Sequence, residues 1–159
     1  MPDLLKPIKR SVYLAPLSRE HHESLLLGWK IRSGIKKNIS SDRILLYCLW
    51  FWKNHLQKHF NDEEKGFVQI LGSDHTLFLL MVKDHKKIKK LLTSMAEKKK
   101  DNYTGLEEFT DALTTHIRFE ERVLFKYIQQ TASHEQLEAF AKMHTTHTLP
   151  EWQDEFWVN

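Results

Sequence analysis

The sequence predicts an all-α fold: an antiparallel up-down-up-down four-helix bundle followed by a short fifth helix. Apolar residues recur at steps of three and four along four long stretches, the pattern of helices with one buried face. Only 5 glycines and 4 prolines occur in 159 residues, so little interrupts those stretches. Short polar segments separate them, as between neighbouring rods of a bundle. This length suits a single domain over residues 1–159 with one sizeable core. No linker, repeat or low-complexity segment is visible.

Residues 1–16 hold Pro2, Pro7 and Pro16 and read as an extended lead-in anchored by Val12, Tyr13 and Leu14. Ser18 is placed to cap a first helix of about 19–33, which Gly34 would stop. Leu14, Leu17, His21, Leu25, Gly28 and Ile35 share one phase and carry His21 inward. The line through Ser18, His22, Leu26, Trp29 and Ser33 is more polar, so His21 is favoured over His22; the plain alternative is that both decorate the helix start.

A second helix, about 42–72, follows a cap at Ser40 or Ser41. Its stripe is Leu45, Leu49, Trp52, Leu56, His59, Glu63, Phe67 and Ile70, with His55 one turn before His59. Gly72-Ser73-Asp74 breaks the pattern and offers a cap for a third helix, about 74–100. There Leu77, Met81, His85, Ile88, Leu92 and Met95 line one face. Lys83, Lys86, Lys87, Lys89 and Lys90 line the other, a solvated face without the interleaved aromatics that stack nucleobases. After a turn at 98–102, a fourth helix of about 104–130 carries Leu106, Phe109, Leu113, His116, Glu120, Leu124 and Tyr127. Ser133 and Gln136 form a capping box for a fifth helix reaching about Thr146, with Leu137, Phe140 and Ala141 inward. Pro150 ends the helical pattern. The tail over 148–159, with Trp152, Phe156 and Trp157, reads as a cover for one bundle end.

Two of these apolar stripes contain His-x-x-x-Glu, at His59/Glu63 and His116/Glu120. At i, i+4 the two side chains reach toward the same point. A carboxylate in a core is costly unless paired or holding a metal. With His21 and His85, four histidines and two glutamates can converge in one layer. Six such ligands are too few for two six-coordinate ions unless each glutamate bridges. The imidazole and carboxylate set favours iron, with manganese or zinc as lesser candidates. The Glu-x-x-His pairs of ferritin-like bundles are absent.

The ordered pieces Pro16-Leu17-Ser18-Arg19-Glu20-His21-His22, His59-Phe60-Asn61-Asp62-Glu63-Glu64, Asp84-His85-Lys86-Lys87-Ile88 and His116 through Arg122 with Leu124-Phe125 resemble the hemerythrin-like, HHE cation-binding domain. The resemblance covers roughly residues 16–147. It implies a non-haem di-iron centre with His21, His59, His85 and His116 as terminal ligands and Glu63 and Glu120 as bridges. The oxygen-carrying members have two histidines one turn apart on the third helix; here Met81 and Lys89 flank His85. Oxygen carriage is thereby less secure, and oxygen, nitric oxide, peroxide or iron itself become comparable as the small partner. Glu64 and Glu121, next to proposed ligands, read as surface groups or as carboxylates that orient a ligating imidazole.

The remaining totals narrow the alternatives. A net charge of +3 gives no argument for nucleic acid. Cys48 stands alone, so no internal disulfide forms, which suits a reducing compartment. No stretch approaches the ~20 apolar residues of a membrane span, and the first residues lack a signal peptide's apolar core. The expectation is a soluble cytoplasmic protein without nucleic-acid or membrane partners; a protein partner is not legible. A di-iron enzyme on the same site is a second reading, although no nucleophile triad or phosphate loop is visible. A metal-free interaction module, with His59–Glu63 and His116–Glu120 as internal ion pairs, is a third.

Overall fold

A computed structural model describes residues 9–98 and 102–158. Among these residues it is all-helical, a helical bundle with no strand. Pro2 and Pro7 of the expected lead-in and Lys99, Lys100 and Asp101 of the expected turn lie outside the described residues.

Helix α1 spans Ala15–Lys36. It starts earlier than expected because Pro16 sits in its first turn, where a missing N–H costs nothing. Ser18 is therefore inside the helix, and its hydroxyl donates to Glu121 instead of capping. Of the expected anchors, Leu14 is buried and Val12 is exposed. Gly34 does not stop α1. It lies where a Cβ would press on Phe156 and Ile44, and the chain turns at Asn38, whose φ is 57°.

The second rod runs as α2 (Ser41–Phe51), a π-helical turn (Trp52–Leu56) and α3 (Gln57–Leu71). The fourth is α5 (Tyr103–Phe119), a π turn (Glu120–Leu124) and α6 (Phe125–Thr131). Each π turn adds a residue to its turn and shifts the inward phase. Hence Ile44, Cys48 and Phe51 face in before the first, His55 and Leu56 within it, and His59, Glu63 and Phe67 after it. Leu49 and Trp52, expected inside, are half-buried. Beyond the second, Ile128 is buried where Tyr127 was expected, and Tyr127 is exposed. In α1, Ser24 takes the inward place expected for Leu25, which is also exposed.

Helix α4 (Thr76–Glu97) buries Met81, His85, Ile88, Leu92 and Met95. Its cap is His75, whose Nδ1 accepts the Leu77 N–H, rather than Ser73 or Asp74. Helix α7 (His134–Met143) has the Ser133/Gln136 capping box. It ends three residues short of Thr146, and His144 leaves it with extended backbone. Trp152, Phe156 and Trp157 pack against Tyr47 of α2.

Two apolar plugs fill the bundle. One contains Leu27, Ile31, Phe51, Phe60, Ile88, Leu92, Phe109 and Leu113; the other contains Leu17, Phe67, Met81, Leu124, Phe125 and Phe140. The order in which the chain meets them alternates from rod to rod. On each rod the central histidines and glutamates lie where the chain passes from one plug to the other, and together they form one polar layer across the bundle.

Helix α7 docks on α3 through Gly66. A Cβ there would stand 2.2 Å from two ring carbons of Phe140, a buried ring stacked on Phe67 at 4.9 Å. Gly66→Ala is expected to cost about 1–3 kcal/mol by overpacking, read as a lower urea midpoint; an unchanged midpoint would show that α7 is not seated through this contact.

Candidate metal centre

The polar layer holds His21 from α1, His59 and Glu63 from α3, His85 from α4, His116 from α5 and Glu120 from the second π turn, all buried. All six candidates from the sequence meet there. One ligand atom from each of His21, His59, Glu63 and Glu120 lies within 4.8 Å of the others; the same holds for Glu63, His85, His116 and Glu120. The two glutamates belong to both groups. His22, the alternative to His21, is exposed.

Every histidine points Nε2 into this layer. His59 Nε2 is 3.3 Å and His85 Nε2 3.2 Å from Glu63 Oε1. His116 Nε2 is 2.7 Å and His21 Nε2 3.2 Å from Glu120 Oε1. His85 and His116 set their Nε2 atoms 3.1 Å apart. Two N–H groups cannot face each other at that distance, so at least one nitrogen presents a lone pair.

Every Nδ1 meets a second carboxylate, brought by another rod. His59 Nδ1 donates to Glu20 at 2.7 Å, His85 to Glu64 at 3.3 Å, His116 to Asp84 at 3.1 Å and His21 to Glu121 at 2.8 Å. Each carboxylate adjoins in sequence a member of the central six but serves the histidine of the next rod, and the fourth closes on the first. A histidine donating Nδ1–H to a carboxylate is oriented and made a more basic Nε2 ligand. Glu64 and Glu121 were open to this role from their positions. Glu20 and Asp84 were missed; the Glu-His and Asp-His dipeptides were the available signal, but sequence cannot tell that each serves a different rod.

The electrostatics follow from this crowding. Burial opposes charge on His59, but Glu63 and the bond to Glu20 outweigh it and lift its pKa to about 9. Burial likewise opposes charge on His116, and Glu120 with Asp84 carries it to about 10. For Glu63, burial favours the neutral acid, yet His59, His21 and His85 hold it well below the usual carboxylate range. His55 is different: burial and the neighbouring His59 push it down to about 4.

Proton sharing does not satisfy the layer. His59 Nε2, both Glu63 oxygens and Glu120 Oε2 are buried without a hydrogen-bond partner; their close contacts lack hydrogen-bond geometry. Leaving such groups unmatched is costly. Imidazole nitrogens and carboxylate oxygens converging in this way fit one or two transition-metal cations. Six carboxylates surround the four imidazoles, a negative field that divalent cations would offset.

Among known proteins, residues 17–128 match the family model described as the hemerythrin HHE cation binding domain. That span contains all six central residues and the four outer carboxylates. No curated protein and no solved structure matches the chain.

A raised histidine pKa sets the sign of a pH effect. Relative to about 6.5 in the unfolded chain, values near 9 and 10 for His59 and His116 give stability fully present below about pH 6.5 and lost as pH rises through about 9 to 10. Cation-free protein should therefore melt at falling temperatures from about pH 7 to pH 10. Cation binding should release protons and tighten over the same range. Thermal melts and proton release on titration check both; a flat profile in each would contradict the assignment.

Proposed function

The chain belongs to the hemerythrin HHE cation-binding domain family, and from that premise we propose that it binds two non-haem iron ions and through them binds or senses oxygen, nitric oxide, peroxide or iron itself. The observation that carries the reading is the double membership of Glu63 and Glu120, each within reach of both ligand groups. His21 and His59 would hold one ion, His85 and His116 the other, and the two glutamates would bridge. The donor chemistry supports iron, with manganese or zinc secondary. The alternation of the two apolar plugs along successive rods supports reading the bundle as antiparallel, up-down-up-down.

Iron held there supplies a redox-active centre with room for a small ligand, because six protein groups do not fill two octahedral shells. The chain's own residues do the rest. The outer carboxylates hold each imidazole in its ligating tautomer. Phe60, stacked on His85 at 3.8 Å, and Phe125, stacked on His21 at 5.3 Å, each cover one face of the ligating ring. A cytoplasmic setting suits the lone cysteine, and no helix among the described residues is long and apolar enough to cross a membrane.

The test is metal content with an optical spectrum on protein produced with iron. The reading expects about two irons per chain and near-ultraviolet bands that respond to oxygen, azide or nitric oxide. Glu63→Ala and Glu120→Ala should each lower iron retention at least ~10-fold, since each removes a shared ligand. Well under one iron per chain, with Glu63→Ala without effect, would sink it and favour internal ion pairs.

A further inference from the structure

The four outer carboxylates are not equivalent. Glu20, behind His59, is almost closed off, its side chain 8% exposed. Its second oxygen accepts from His144 Nε2 at 2.9 Å, while His144 Nδ1 donates to Asp62 at 2.8 Å. Both ring nitrogens of His144 face carboxylates, so it is an imidazolium held between two anions. Lys58 closes this chain on Asp62 at 2.6 Å. Glu121, behind His21, is also fixed from outside: Arg10 donates to it at 2.8 Å and Ser18 at 3.1 Å. Arg10 and His144 both lie outside the span matched by the family model.

The other pair has no such backing. Glu64 and Asp84 are 34% and 37% exposed, and among the described residues neither forms an ion pair beyond its histidine. Lys87 acts on Asp84 only at a distance. Two cavities also reach this side. One of about 410 Å³ is lined by Asp84, Lys87, Asp111 and His116. One of about 170 Å³ is lined by Phe60, Glu64, His85 and Lys86. A third, of about 440 Å³, is lined by Glu20, His55 and His147 but by neither His21 nor His59. Of these three cavities, the first touches His116 and the second His85, and none touches His21 or His59.

We propose that the two cation positions are unequal: the one between His21 and His59 is the retained position, and the one between His85 and His116 is the exchanging position, where a divalent iron-class cation enters and leaves. Arg10 and His144 act as positioning residues for the retained ion, through Glu121 and Glu20. The inference rests on the two-cation reading above. Its physical reason is that release requires an imidazole to swing away. A histidine locked through successive charged hydrogen bonds swings less readily than one whose carboxylate is partly exposed to water.

The experiment loads the protein with ferrous iron without air, adds a colour-forming ferrous chelator and follows release. Two phases of equal amplitude, at least ~10-fold apart in rate, are expected, since loss of an outer carboxylate contact typically changes metal affinity by ~10–100-fold. Asp84→Asn should speed only the fast phase. His144→Asn, which cannot span Asp62 and Glu20, should speed only the slow phase by ~10-fold, and His144→Gln should recover part of it. Arg10→Ala, at a half-buried residue outside the central layer, should act on the same slow phase and serves if the His144 variants fail to fold. A general loss of structure would move both phases. A single phase for both ions, or a slow phase altered by Asp84→Asn alone, would overturn the inference and leave the two-cation centre standing; no bound iron would overturn both.

Discussion

The constraint on which the rest of the structure depends is the closed ring of imidazole–carboxylate pairs across the four rods. Glu20 holds His59, Glu64 holds His85, Asp84 holds His116 and Glu121 holds His21. Buried charges are expensive, and removing one partner of such a pair strands the other. No rod can therefore turn about its axis or slide along its neighbours without breaking a pair on each side. The ring fixes the register of the bundle at the level of the polar layer, and the apolar plugs above and below fill the space that this register leaves. Cation binding uses the same geometry, because an imidazole whose Nδ1–H is engaged offers Nε2 as a lone pair.

The π turns belong to this constraint. A regular α-helix starting from Ile44 and Cys48 would not carry His59 and Glu63 inward in the same phase as His55 and Phe51. One extra residue in the turn Trp52–Leu56 realigns them. The turn Glu120–Leu124 sits at the ligand itself and returns the following helix to the core on Ile128. Each such turn gives up regular hydrogen bonds and persists where packing and the site together require it.

Much of this was legible in the sequence, and for identifiable reasons. The three-and-four spacing of Leu106, Phe109, Leu113, His116 and Glu120 records burial directly, so the rods and all six central residues could be read from periodicity. The choice of His21 over His22 rested on the same phase. What periodicity could not supply was a change of phase. Tyr127 was expected inside because the stripe was extended at a constant step, and the π turn broke that step. Leu25 failed because a small residue, Ser24, occupies the crowded inward place where α1 meets its neighbours. Ser18 looked like a cap by residue type, but Pro16 already begins the helix and the hydroxyl serves Glu121. The outer carboxylates of Glu20 and Asp84 depend on which rods adjoin, a tertiary fact. His144 lies on no stripe and becomes visible only when α7 folds back over α3.

The most direct test of the account is a crystal structure of iron-loaded protein with anomalous scattering measured on both sides of the iron edge. The account predicts two iron peaks in the polar layer. One lies beside His21 and His59 Nε2, the other beside His85 and His116 Nε2, and Glu63 and Glu120 reach both. Iron elsewhere, for example at His55 and His147, or no ordered iron within the layer, would contradict it.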